Sequence, residues 1–267
     1  MALVLSHFYC ILKNWVMDMS KKIGLIIIGD EILSGKRQDK HLKQANELLK
    51  PRGLSISWVK IVGDHADFLV QTLRDSFATG DVVFCFGGIG ATPDDRTRQS
   101  AAAALGLPLE RHPEAVAEIE AQFGADAYPQ RIHMGEYPKG SAIIPNFFNR
   151  VPGFSINEHY FMPGFPMMAQ PMMSWVLNAY YADWQHEPRI ELSIRLIDGQ
   201  ESEWVEFMES FEARFPDLRL FSLPTISENG NRSIEMGVEG VKAFAVEGLE
   251  VLKKEAELRK HPFEVIV

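Results

Sequence analysis

Residues 81–97 read Asp-Val-Val-Phe-Cys-Phe-Gly-Gly-Ile-Gly-Ala-Thr-Pro-Asp-Asp-Arg-Thr, and their reading decides the fold. Val82–Phe86 is a short apolar run with no polar alternation. Such a run reads as a strand buried on both faces, the mark of a parallel sheet covered by helices. Gly87, Gly88 and Gly90 follow at once, so the chain leaves the strand through a loop of bare backbone. Working outward, Ile23–Ile28 (IGLIII) has the same character and is followed by Gly29-Asp30-Glu31-Ile32-Leu33-Ser34-Gly35. Asp39 can cap a helix through about Lys50 that Gly53 closes. Ile56–Val62 alternates as a strand, and Asp64 can cap the next helix to about Ala78. Helices are predicted over Arg98–Leu105, Pro113–Phe123 and Met167–Tyr181, and short strands over Ser141–Pro145, Gly153–Ile156 and His159–Met162. Strands alternating with helices predict a doubly wound, mostly parallel α/β sheet.

The pattern changes after Glu187. Strands over Arg189–Asp198, Leu218–Leu223, Ser233–Val238 and Phe263–Val267 enclose helices over Glu201–Arg214 and Lys242–Arg259. The order β-α-β-β-α-β is that of a small α+β, ferredoxin-like module. The expected organisation is therefore an extension over 1–19, an α/β domain over 20–185 and a structural or dimerising module over 188–267.

Composition limits the function. The 267 residues are 46% hydrophobic and carry 27 basic against 36 acidic side chains, a net charge of −9. A general nucleic-acid binder needs a basic face, and none is offered overall. Two cysteines, Cys10 and Cys85, make no disulfide framework, so a reducing, cytoplasmic setting is expected. Ala2–Met17 is apolar but too short to span a bilayer and lacks the marks of a secretory signal, so no membrane association is expected. An upstream start, with the protein proper beginning near Met19, is the leading reading of this segment; a short amphipathic helix is the alternative.

The two glycine-led loops carry the chemistry. In an open α/β sheet, ligands bind beyond the carboxyl ends of the strands, where both loops lie. Gly87, Gly88 and Gly90 let backbone amides approach an anion. Asp94 and Asp95 have two readings. With Thr92 as a helix cap, Pro93 takes the first helical position, Asp95 completes a capping box and both carboxylates are structural. With Thr97 as the cap, both lie in the loop and can bind Mg²⁺ or another hard cation. Asp30 and Glu31 are turn residues or partners in the same cleft, and acids beside a phosphate cradle favour metal-assisted phosphate chemistry. Cys85, His112, His133 and the methionines of the last α/β helix have plain structural readings.

GDEILSG and GGIGATPDDRT resemble the two signature loops of the molybdopterin-binding (MoaB/Mog-type) family, and most of all its CinA-like branch. Pro138-Lys139-Gly140-Ser141, Val151-Pro152-Gly153-Phe154 and Met162-Pro163-Gly164-Phe165-Pro166 extend the resemblance from Ile23 to Tyr181. The common second loop has threonine, proline and histidine where this chain has Phe86, Ala91 and Pro93. The amidohydrolase domain of full-length CinA is not matched, so nicotinamide-nucleotide deamidation is not expected. The resemblance implies a small ligand with a phosphate or diphosphate beside a flat heterocycle, molybdopterin or a nucleotide. It further implies hydrolysis of an ADP-ribose- or FAD-type diphosphate with Mg²⁺, Mn²⁺ or Co²⁺. The alternatives are a non-catalytic binding module and a molybdenum-cofactor biosynthesis protein. Asp94, Asp95 and Glu31 are the expected catalytic residues, the two aspartates the metal ligands, with the larger role at Asp95. Gly29, Asp30, Ser34, Gly87, Gly88, Gly90, Thr92, Thr97, Pro163 and Gly164 are the expected ligand contacts. A homo-oligomer is expected.

Overall fold

The computed structural model describes residues 21–227 and 229–266; the readings of the first 19 residues lie outside them. The chain divides into two compact units. One comprises Ser55–Gln185 together with the chain up to Leu49, the other Lys50–Leu54 and His186 onward. Lys50–Leu54 groups with the second unit because the His186 N–H donates to the Arg52 carbonyl at 2.8 Å and Lys50 pairs with Glu191 at 2.9 Å. Among the described residues no helix is long and apolar enough to cross a membrane.

In the first unit, β1 (Ile23–Ile28), β2 (Trp58–Val62), β3 (Val82–Phe86), β6 (Ala142–Ile144), β7 (Gly153–Ile156) and β8 (His159–Met162) form one sheet. Their order is β2-β1-β3-β8-β7-β6, parallel except for β7, which runs against both its neighbours. Every residue of β1 and β3 is buried, as their unbroken apolar runs require. On one face Ile26, Ile28, Val83, Cys85 and Phe161 pack with Leu69 and Leu73 of α3 (Ala66–Phe77), Ala101 of α4 (Thr97–Leu105) and Ala115 of α5 (Pro113–Phe123). On the other face, His41 of α2 (His41–Leu49) stacks on Phe86 at 4.6 Å, and the buried Met172, Met173 and Val176 belong to α6 (Pro166–Tyr180). A separate ribbon, β4 (Leu109–Arg111) with β5 (Glu136–Pro138), was not predicted.

The second unit is a four-stranded antiparallel sheet of β9 (Arg189–Ile197), β10 (Arg219–Ile226), β11 (Arg232–Val241) and β12 (Phe263–Ile266), ordered β10-β11-β9-β12. Its two helices are α7 (Val205–Arg214) and α8 (Lys242–Leu258). The connectivity and strand order are those of a ferredoxin-like unit. Helix α7 starts later than predicted, after a 3₁₀ turn over Glu201–Glu203.

Three local expectations need correction. Asp39 caps α2 as read, accepting from the amides of His41 (2.9 Å) and Leu42 (3.0 Å). Asp64, by contrast, does not cap α3; His65 holds that position with no side-chain cap bond. Neither Thr92 nor Thr97 caps α4, because Arg96 precedes it and Thr97 is its first helical residue. Finally, Asp30–Leu33 is not a loop but the one-turn helix α1.

Candidate functional site

Four loops leave the carboxyl ends of β1, β2, β3 and β8 side by side. The first two are tied through aspartates. The Asp64 carboxylate accepts the Asp30 N–H at 3.1 Å, and the Asp30 carboxylate accepts the Asp64 N–H at 3.3 Å. The reciprocal pair turns the Asp64 carboxylate toward the neighbouring loop rather than toward the amides of α3. Partial burial raises the Asp64 pKa above the usual carboxylate value; the Asp30 N–H opposes this, and the nearby charges of Asp30, Glu31 and Asp94 raise it further. Four carboxylates thus share one electrostatic neighbourhood.

The third loop approaches so closely that only glycine fits. Gly87 has φ +108°, and a Cβ there would meet the Ile28 carbonyl oxygen at 2.1 Å. A Cβ on Gly90 would meet the Asp95 carboxylate at 2.4 Å, and one on Gly164, in the fourth loop, would meet Gly87 Cα at 3.3 Å. Thr97 pins the loop from below: its hydroxyl donates to the Gly87 carbonyl at 3.0 Å and its N–H to the Gly88 carbonyl at 2.9 Å. Arg98, buried at 2% exposure, donates to the Gly90 carbonyl at 2.6 Å. Three carbonyls of one loop therefore turn toward α4. In a trans peptide the following N–H points the opposite way, so the amides of Gly88, Ile89 and Ala91 face away from the helix. No hydrogen-bond acceptor holds these amides among the described residues.

The two adjacent aspartates part company. Asp95 accepts the Thr92 N–H at 2.9 Å and its hydroxyl at 2.5 Å, and donates its own N–H to the Thr92 carbonyl at 3.0 Å, closing a turn ahead of the helix. Asp94 is fully exposed; the Thr92 hydroxyl, its own backbone N–H and Arg96 hold its carboxyl below the usual value, and its charge reaches Asp64. The larger role predicted for Asp95 thus meets a carboxylate already engaged by Thr92. Among the described residues no group of three or more His, Cys, Asp or Glu side chains is arranged to hold a metal ion.

Beside Glu31 and Gly164 lies a groove of about 620 Å³, with Arg37 and Lys40 from the stretch before α2 and the exposed Phe165 and Met167 from the fourth loop. The predicted Ser34 is exposed at the end of α1, where its N–H donates to the Asp30 carbonyl at 2.9 Å. Pro163 is half-buried just ahead of Gly164. Sequence reasoning missed Asp64, Arg98 and the groove residues Arg37, Lys40 and Phe165. For Asp64 a signal existed: Gly63-Asp64 follows β2 just as the other two loops follow their strands.

Known proteins share this architecture. The family described as a probable molybdopterin binding domain matches residues 24–182. A CinA-like protein of Citrifermentans bemidjiense is 27% identical over 228 residues, which are 78% of this chain and 54% of that protein. One from Anaeromyxobacter sp. (strain Fw109-5) is 31% identical over 156 residues, 56% of this chain and 38% of its own. The chain thus spans about half, or less, of these relatives' length. The solved structure of CinA from Thermoplasma acidophilum, a protein described as having unknown function, superimposes with a TM-score of 0.55 at 25% identity, covering 60% of this chain and 99% of that one. Through residues 24–182, more than half its length, the chain belongs to the molybdopterin-binding domain family.

Proposed function

We propose that the first unit binds a small ligand carrying a phosphate or diphosphate beside a flat heterocycle, a pterin or a nucleotide. The observation that carries this reading is the row of amides at Gly88, Ile89 and Ala91, turned away from α4 by carbonyls pinned behind them. Successive N–H groups in such a concavity attract anions. The groove beside it offers Phe165 as a stacking surface and Arg37 and Lys40 as cations.

The carboxylates limit how a phosphate enters. Asp30, Glu31, Asp64 and Asp94 repel a bare anion, so the phosphate is taken as its complex with Mg²⁺, Mn²⁺ or Co²⁺. The residues fit this mode: Mg²⁺ is commonly held by one or two carboxylates plus substrate phosphates rather than by a full protein cage. Asp64 and Asp94 would hold the cation, which when bound supplies charge neutralisation for the diphosphate and a more acidic water. Asp95 shapes the loop through Thr92, and Glu31 flanks the cleft as a proton acceptor. This set supports diphosphate hydrolysis of the ADP-ribose or FAD type.

A second reading, binding without turnover, is favoured by the engagement of Asp95 with Thr92. Thermal stabilisation by ADP-ribose, FAD or a pterin, measured with Mg²⁺ and with EDTA, tests both. The first reading expects a shift that EDTA abolishes, followed by product release; a shift that ignores EDTA selects simple binding. No shift with any of these ligands overturns the proposal.

A further inference from the structure

The first unit holds a buried cation whose charge has no role in the site described above. Arg98 is 2% exposed, yet among the described residues its guanidinium makes no ion pair. Its partners are carbonyls: Gly90 at 2.6 Å, His133, and Glu136 at 3.5 Å, while its Nε is buried with no partner. Burial lowers its pKa, opposed in part by Tyr137 and by the nearby charges of Asp95 and Glu136. A desolvated charge with no direct ion pair is costly, and an apolar residue of similar volume would often serve stability as well. The cation lies directly behind the glycine loop, at the one carbonyl whose orientation decides where the Ala91 N–H points.

We infer that Arg98 is the positioning residue of the phosphate cradle. It fixes the Gly90–Ala91 peptide with the N–H outward, and its charge, screened by little solvent, offsets the surrounding carboxylates at the place where a diphosphate settles. This rests on the ligand reading above and adds a residue and a charge requirement to it. Thr97 orients the first two peptides through neutral hydrogen bonds; Arg98 alone combines orientation with charge. A diphosphate, with more negative charge than a monophosphate, should depend on it more.

The test uses the full chain, MgADP and MgAMP, and titration calorimetry. The wild type should hold MgADP more tightly than MgAMP. Arg98→Gln should weaken MgADP by about tenfold, the size of one charge-assisted contact, and compress the ratio of the two affinities. Arg98→Lys should restore much of that ratio. A purely structural arginine would change the melting temperature and leave the ratio alone, so an unchanged ratio in folded Arg98→Gln overturns the inference while the ligand reading stands. If Arg98→Gln does not fold, amide NMR of the wild type decides. Saturating MgADP should move the Gly88, Ile89 and Ala91 resonances, and unmoved resonances overturn the inference. Absence of any wild-type binding to either nucleotide overturns this inference, while the ligand reading is decided by the ADP-ribose, FAD and pterin measurements.

Discussion

The two ends of the six-stranded sheet are built on opposite terms. At the amino ends of β2, β3 and β8 the polar groups close on one another. Trp58 Nε1 donates to Asp81 at 2.8 Å, and the Asp81 N–H donates to the Thr79 hydroxyl at 3.1 Å. His159 Nδ1–H donates to the Asn157 carbonyl at 2.9 Å, which fixes Nε2 as the acceptor for the Ser76 hydroxyl at 2.8 Å. A hollow of about 510 Å³ lies there too, lined by Lys22 and Lys60 and by Trp58, Ser76, Thr79 and Asp81, whose polar groups already have partners. At the carboxyl ends, carboxylates crowd together, amides lack acceptors and a buried arginine makes no direct ion pair among the described residues. The difference teaches that a hollow is not a site; unspent hydrogen-bonding capacity and crowded charge are. Proteins commonly accept such local costs where they bind or react.

The comparison breaks most visibly at Gly87. Alanine there must combine a strained φ with a backbone clash, and should cost about 3 kcal/mol or more, read by chemical denaturation, with loss of ligand response. An alanine variant of native stability would mean that the loop is looser than its contacts imply.

A change of similar size belongs to the opposite end and is driven by pH. Burial pushes the His159 pKa down from 6.5 to about 4. Between those values the unfolded chain takes up a proton that the folded chain refuses. Stability should therefore fall as pH drops from 6.5 to 4, by about 3 kcal/mol in total, and then level off with respect to this group. Urea titrations across that range measure it, and His159→Asn should flatten the dependence. An equally steep fall in the variant would assign it to other groups.

The smaller effects separate the carboxylates. Asp95→Asn should cost about 1 kcal/mol, the worth of a capping interaction, and change metal-dependent ligand binding little. Asp64→Asn and Asp94→Asn remove like charge from a crowded cluster. The metal-free Asp64→Asn protein should be as stable or more stable, since its carboxyl pKa is raised, and Asp94→Asn slightly less stable, since its carboxyl pKa is lowered, while in both the response to Mg²⁺ in thermal-shift measurements collapses. Loss of the Mg²⁺ response in Asp95→Asn alone would return the larger role to Asp95.

What could be read in the sequence follows from how local each signal is. The apolar runs of β1 and β3, Asp39 ahead of α2, and the Pro113 start of α5 report on their own segments, and each lies where expected. The ferredoxin-like order of the second unit followed from alternation and the Asn229-Gly230 turn signal. Asp64 looked like a cap because an aspartate before a helix reads identically whether it accepts from its own helix or from another loop. Thr92 and Asp95 looked like a helix start because an acid three residues after a threonine accepts its N–H in a turn as it does in a capping box. Arg98 left no signal at all, since a charged residue near a helix start normally faces water.

One feature of the second unit bears on its behaviour at high concentration. Its outermost strand β10 is eight residues long, and its far half, from Leu223 to Ile226, is exposed. An open strand of that length is a template on which another chain can stack. Pro224, opposite Ile234, interrupts it: proline has no N–H to lend to a newcomer and is tolerated in sheets chiefly at such margins. The residue thus acts as a guard against runaway pairing. Pro224→Val should leave the fold intact while raising light scattering as concentration increases.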